Sequence, residues 1–195
     1  AEADITVWRA AGGWTPVAVD TDFDGATTLR LVDVNRDGAL DILSYAIYSE
    51  QIAWFENAGP TTYLEHPIAS GQGDQLDAAD LDCDGDLDVV AVAVYTDHLT
   101  WWENTAGDGS VWVERAIPTP RVFHSVRAGD VDQDGDSDLV AGHAGSPDSL
   151  WVLTNTRTPG LAGNRNTGYL AATGDYVGSC DDDDSCTVDQ GTVAP

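Results

Sequence analysis

One nine-residue phrase occurs three times in this chain and narrows what it can fold into: Asp33-Val-Asn-Arg-Asp-Gly-Ala-Leu-Asp41, Asp80-Leu-Asp-Cys-Asp-Gly-Asp-Leu-Asp88 and Asp130-Val-Asp-Gln-Asp-Gly-Asp-Ser-Asp138. The copies start 47 and then 50 residues apart, a period at which one supersecondary unit is repeated and stacked on its neighbours. Each phrase is followed by a short apolar run, at 42–47, 89–94 and 139–141, and then by a segment carrying Trp. Those segments are Ile52-Ala-Trp-Phe-Glu-Asn57, Leu99-Thr-Trp-Trp-Glu-Asn104 and Leu150-Trp-Val-Leu-Thr-Asn155. A further segment follows in the first two copies, Tyr63-Leu-Glu-His-Pro-Ile68 and Val111-Trp-Val-Glu-Arg-Ala-Ile117. β-Branched and aromatic enrichment, short runs and Gly, Pro and Asp punctuation argue for strands over helices. Four antiparallel strands in roughly 40–50 residues is the footprint of a propeller blade.

The expected fold is therefore all-β, with about three to four propeller-type, four-stranded antiparallel blades, each full repeat carrying an Asp-rich, ion-binding hairpin loop between two of its strands. Residues 25–71 and 72–120 read as whole blades and 121–158 as an incomplete one. Residues 1–24 read as half a blade, because Ile5-Thr-Val-Trp8 and Trp14-Thr-Pro-Val-Ala-Val19 suit the last two strands of a blade whose first two are not adjacent. Residues 159–195 read as a linker and an acidic, Cys-containing tail. Within it Tyr169-Leu-Ala-Ala-Thr173 suits one strand, and 181–184 is a run of Asp. That run reads as a solvated loop; the sharper alternative has the tail supply a first hairpin to the split N-terminal blade.

In Asp-x-[Asp/Asn]-x-Asp-Gly-x-x-Asp the side chains at positions 1, 3 and 5 converge as the chain turns, position 7 offers its carbonyl and position 9 adds a carboxylate. Gly38, Gly85 and Gly135 permit the sharp turn. A flexible cage of hard oxygens suits Ca²⁺ better than the more demanding Mg²⁺, and no His joins these loops to favour a softer metal. The competing reading is a charged solvent loop or an Asp/Gly turn. Three copies in register with a structural period favour the ion, since packed carboxylates repel without one. An EF-hand fails, because its twelfth position would be Ser44, Ala91 and Ala141 instead of a bidentate Glu. A fourth phrase, Asp20-Thr-Asp-Phe-Asp-Gly25, has Thr28 at position 9 and reads first as a turn, then as a weak site.

Composition agrees with a cation-dependent protein. Its eight basic residues, all Arg, face 34 acidic ones, for a net charge of −26. Such a surface repels nucleic acid and anionic membranes and opposes its own compaction. No run approaches the ~18 apolar residues of a membrane span. Cys180 and Cys186 bracket the acidic run and can pair as a disulfide in an oxidising compartment, with two thiols as the alternative; Cys83 then lies outside the pairing. A secreted, extracellular setting at the cell surface or in the matrix is expected.

Catalysis leaves little trace. His66, His98, His124 and His143 are scattered, and Ser125 beside His124 is sequence adjacency, not triad geometry. Glu56 and Glu103 recur at matching positions; two carboxylates can serve glycoside hydrolysis, but recurrence in successive blades favours a structural role. The pairs Trp54-Phe55 and Trp101-Trp102 suit either packing between blades or a sugar-stacking face.

With loops and Trp-x-Glu-Asn strands in view, residues 25–158 resemble the FG-GAP/VCBS repeat family, the propeller repeats of integrin α-chain heads and many secreted bacterial proteins. The literal Phe-Gly…Gly-Ala-Pro phrase is missing, so VCBS-like is the closer name. The resemblance implies a calcium loop between the first two strands of each blade. It implies the ligands Asp33, Asn35, Asp37, Ala39 (carbonyl) and Asp41; Asp80, Asp82, Asp84, Asp86 (carbonyl) and Asp88; and Asp130, Asp132, Asp134, Asp136 (carbonyl) and Asp138. Propellers of fewer than about four blades are not typical closed rings. The expected role is thus a non-catalytic structural or adhesive module that joins other copies of itself as a ring or fibre, with an extracellular glycan or protein as a possible ligand and no nucleic acid or membrane insertion.

Overall fold

The computed structural model describes residues 5–10, 12–20, 22–71, 73–92, 99–117, 119, 122–143 and 149–155, with the backbone of 174–176, 179–180 and 186–187. Strands β1 (Ile5–Ala10) and β2 (Trp14–Asp20) form a hairpin. Strands β3 (Ala26–Val32), β4 (Asp41–Ala46), β5 (Gln51–Gly59) and β6 (Thr62–Ser70) form the first four-stranded sheet, paired in chain order. The second sheet is β7 (Gln75–Ala79), β8 (Asp88–Val92), β9 (Leu99–Asn104) and β10 (Trp112–Ile117). The third is β11 (Ser125–Gly129), β12 (Asp138–His143), β13 (Ser149–Leu153) and β14 (Gly174–Tyr176). A last hairpin joins β15 (Ser179–Cys180) to β16 (Cys186–Thr187).

Among the described residues all ladders are antiparallel, each acidic loop joins the first strand of a blade to the second, and the sheets are not closed. The third blade differs from expectation. Its fourth strand comes from residues 174–176, beyond the stretch read as a linker, so this blade is four-stranded. The strand expected at 169–173 lies outside the described residues. Among the described residues the tail hairpin pairs with itself and not with β1 or β2. Its register sets Cys180 opposite Cys186, while the expected disulfide concerns side chains outside the described residues.

Blade stacking explains why second and third strands are apolar on both faces. Alternate residues of a strand point to opposite faces. Ile42 and Ala46 of β4, with Ala53 and Phe55 of β5, pack toward Ile5 and Phe23 of the N-terminal segment. Their neighbours Leu43, Tyr45, Ile52 and Trp54 pack toward Leu76, Val89, Ala91 and Trp102 of the second blade. The second and third blades share another core, built on Leu81, Val90, Leu99, Trp101, Val126 and Leu139. Each aromatic pair therefore splits between faces: Trp54 and Phe55 enter different cores, as do Trp101 and Trp102, and all four are buried. This removes them as sugar-stacking faces.

First strands lie side by side. Arg30 of β3 reaches the Asp77 carboxylate of β7 at 2.8 Å, and the other oxygen of Asp77 accepts the Ala128 N–H of β11 at 3.1 Å. One carboxylate thus links the first strands of three blades. At the rim Glu56 meets His66 at 2.9 Å and Glu103 meets Arg115 at 2.7 Å, each across the last two strands of its blade. The recurring glutamates are cross-strand partners.

Burial decides what truncation costs. Phe55→Ala should cost about 3–5 kcal/mol by opening a cavity between blades, whereas Trp14→Ala, at a residue 71% exposed, should change stability by less than about 0.5 kcal/mol. Urea unfolding in calcium checks this; equal losses would contradict the packing.

Candidate metal centres

The three loops share one hydrogen-bond skeleton. Position 1 accepts backbone N–H groups from positions 5 and 6: Asp33 from Asp37 and Gly38 at 3.1 and 3.0 Å, and Asp80 from Asp84 and Gly85 at 3.2 and 2.9 Å. Asp130 accepts from Gly135 at 3.2 Å. Position 3 accepts from position 5 in every loop, through Asn35, Asp82 and Asp132. Position 5 accepts from position 7, through Asp37, Asp84 and Asp134. These bonds wind the loop around its own carboxylates, and they need left-handed backbone twice. Position 6 is Gly38, Gly85 or Gly135, at φ of 88°, 92° and 101°. Position 4 is left-handed too, although it is Arg36, Cys83 or Gln133, at φ of 61°, 60° and 66°. Non-glycine residues adopt that region at a cost, so the same departure in three loops shows that the winding imposes it.

Position 9 does more than the sequence indicates. Asp41, Asp88 and Asp138 are buried at the start of β4, β8 and β12. One oxygen of each accepts the N–H of position 2: Val34 at 3.0 Å, Leu81 at 2.9 Å, Val131 at 2.9 Å. The other accepts the N–H of the Asn that ends the Trp-bearing segment: Asn57 at 2.8 Å, Asn104 at 2.9 Å, Asn155 at 2.7 Å. The ninth residue is thus a clamp between loop and third strand as well as a candidate ligand. Asn57, Asn104 and Asn155, to which the sequence alone assigns no role, are thus part of each loop's support. Their signal was recurrence at the repeat period.

Carboxylates converge in two loops. Asp80, Asp82 and Asp88 offer oxygens within 4.8 Å of one another, and so do Asp130, Asp132 and Asp138. A second group in the third loop, Asp132, Asp134 and Asp136, meets the same limit. The first loop keeps the skeleton but has the neutral Asn35 at position 3. The donors are hard oxygens throughout, a set that fits Ca²⁺. Asp20 behaves as a turn residue, accepting the N–H groups of Asp22 and Phe23 at 2.7 and 2.6 Å.

Electrostatics show the cost of holding these groups together. Burial pushes Asp88 up to about 8, against two backbone hydrogen bonds that pull it down. Burial, then the neighbouring Asp134 carboxylate, pushes Asp136 up to about 7. Burial also raises Asp41 and Asp80. Without a cation the fold favours protons on these groups; a bound cation replaces them.

A family model described as FG-GAP-like repeat matches residues 33–91 and again 80–141, so each match begins on the first Asp of a loop, and together they cover more than half of the 195 residues. A glycosyl transferase family 2 model matches residues 126–191, about a third of the chain, whose described part holds the third loop and strands of the third blade. No curated protein matches the chain.

Two outcomes follow from the clamp and the raised carboxylates. Asp88→Ala should destabilise even the chelated protein, by about 1–3 kcal/mol for each buried N–H left unpaired, whereas Asp82→Ala, which gives up an exposed N–H bond, should cost much less in chelator and more in calcium; chemical unfolding in chelator separates them. A raised folded-state pKa gives stability that is full below the ordinary carboxylate value and lost as pH rises through about 7–8. The chelated protein should therefore melt progressively lower from pH 5 to pH 8.5, while calcium affinity climbs over the same window. A melting temperature in chelator that rises with pH would contradict this.

Proposed function

The chain belongs to the FG-GAP-like repeat family, and from that premise we propose that it is an extracellular, calcium-stabilised structural module that joins other copies of itself through its incomplete N-terminal blade. The observation that carries the calcium reading is the shared loop skeleton, with three-carboxylate groups converging in two of its copies. An acidic chain at −26 gains most from cations where they are abundant, and extracellular modules bind calcium at about 10⁻⁴–10⁻³ M.

Two exposed apolar surfaces support assembly, and both lie where a propeller would place a neighbour. Thr28, Arg30 and Val32 of β3 face the second blade, so the alternate residues Leu29 and Leu31 face the N-terminal side. They are 52% and 66% exposed there, where a full blade would set its own first two strands. Ile5 and Val7 of the hairpin pack inward, and the register puts Trp8 and Trp14 together on its outer face, also exposed. A strand pair and a blade face supplied by another copy would cover both surfaces, and a contact that does not close would propagate as a fibre. The role is proposed as non-catalytic, since Glu56 and Glu103 are engaged by His66 and Arg115. Burial of the paired aromatics weakens the carbohydrate-binding alternative.

Chelation should lower the melting temperature sharply, since each site held at ~100-fold above its Kd adds about 2.7 kcal/mol; calorimetry without any calcium-dependent shift would defeat the calcium reading. Light scattering in calcium should give a mass above the 20.6 kDa of one chain, and Leu31→Asp should reduce it to that value with calcium binding intact. A wild-type monomer at 20.6 kDa would defeat the assembly reading alone.

A further inference from the structure

Where the second blade meets the third, four buried residues form one hydrogen-bonded chain that runs from loop to loop. Asp138, position 9 of the third loop, accepts the Asn155 N–H at 2.7 Å. The Asn155 amide donates across the seam to the Leu81 carbonyl at 3.0 Å and, within its own blade, to the Ser137 carbonyl at 3.3 Å. Leu81 is position 2 of the second loop, and its N–H returns to Asp88, position 9 of that loop, at 2.9 Å. Leu81, Asp88, Asp138 and Asn155 are all buried, so water does not compete for these bonds and each holds its partner in place. The seam between the first and second blades is built differently. Asn104 turns its amide the other way: its Oδ1 accepts the Gly109 N–H at 3.0 Å, and its buried Nδ2 has no hydrogen-bond partner among the described residues. There the loops are linked by the Arg36–Asp86 ion pair, whose guanidinium is half exposed.

We propose that Asn155 is a positioning residue shared by the second and third calcium sites, and that through it the two sites fill cooperatively. Both ends of the chain are candidate ligands: Asp138 converges with Asp130 and Asp132, and Asp88 with Asp80 and Asp82. Leu81 stands between Asp80 and Asp82, so the bond to its carbonyl fixes the backbone that joins two ligands of the second loop. An ion on Asp138 keeps the third loop wound and the Asn155 peptide in place. The Asn155 amide then holds the start of the second loop in the conformation that its own ion needs. Part of the ordering that the second loop requires is thus already done when the third is filled, and the reverse holds equally, because coupling between two binding sites is reciprocal. Asn57, by contrast, keeps its amide within its own blade, on the Leu40 carbonyl.

The inference rests on the loops being calcium sites, and the test separates the two ideas. Titration of the full chain with calcium, followed by NMR at the amides of Gly38, Gly85 and Gly135, reports each loop by itself. Asp80→Asn with Asp84→Asn silences the second loop, keeps its hydrogen-bond acceptors and removes as much negative charge as a bound Ca²⁺ would neutralise. Third-loop affinity should then fall about five- to ten-fold, at the low end of couplings between sites. In Asn155→Ala, which keeps the N–H on Asp138, the same silencing should change it by less than about two-fold. Equal losses in both backgrounds, or no loss in either, would overturn the role of Asn155 and leave the calcium sites standing. Binding of no calcium by the wild type would overturn both. A second measurement serves if Asn155→Ala fails to fold. Adding Asp33→Asn and Asp37→Asn to the silenced chain lets calcium enter the third loop alone. Calcium should then slow hydrogen exchange of the Leu81 N–H about five-fold more than that of the Val34 N–H, which makes the same bond in the first loop; equal slowing of the two would overturn the proposal.

Discussion

The structure depends on a carboxylate that is buried where each blade turns from its first strand into its second. Asp41, Asp88 and Asp138 each spend one oxygen on the start of their loop and the other on the end of the third strand. A single side chain thereby fixes the loop, the register between second and third strands, and the approach of an anion to the other loop carboxylates. Backbone N–H groups offset part of the burial cost, but the Asp88 group still prefers its proton at neutral pH. A cation therefore completes a blade as well as occupying it, which makes ion binding and folding one process.

Between blades, polar groups add direction to apolar packing. The Gly109 carbonyl accepts the indole N–H of Trp54 from the first blade at 3.2 Å and that of Trp112 from the second at 2.9 Å. A side chain at Gly109 would strike the Trp54 ring at 2.7 Å, on backbone with φ of 74°. Asn155 of the third blade donates to the Leu81 carbonyl in the second loop at 3.0 Å. These bonds fix how far successive blades slide against one another, which apolar contacts alone set loosely.

The three loops, the strands that flank them and the stacking of blades were legible because each is written three times at one period. Asn57, Asn104 and Asn155 recur just as regularly, yet the bond they share is made by the backbone N–H, while their side chains serve different partners: the Leu40 carbonyl, the Gly109 N–H and the Leu81 and Ser137 carbonyls. The side chains of Asp86 and Asp136 were hidden for another reason: position 7 contributes a carbonyl to the loop, so its side chain looked dispensable until the neighbouring blade was seen beside it. Strand β14 was not legible, since a three-residue strand joined to its sheet across some twenty residues has neither the length nor the period that marks the others. The exposed Leu29 and Leu31 read as ordinary strand residues, because exposure depends on what stands opposite.

The ion pair between the first and second loops, Arg36 with Asp86, also bears on how such a chain can be lengthened or rearranged. Arg36, at position 4 of the first loop, pairs with Asp86, at position 7 of the second; the corresponding residues of the next two loops, Cys83 and Asp136, line one cavity, and the remaining two positions, Ala39 and Gln133, are uncharged. Exchanging the second and third blades would keep Arg36 opposite an acid but set Gln133 against Asp86. Duplicating the first blade would bring an Arg to an alanine. Blades alike enough to share one backbone are thus not interchangeable modules, and recombination within the repeat array is constrained at its seams while the loops themselves stay the same.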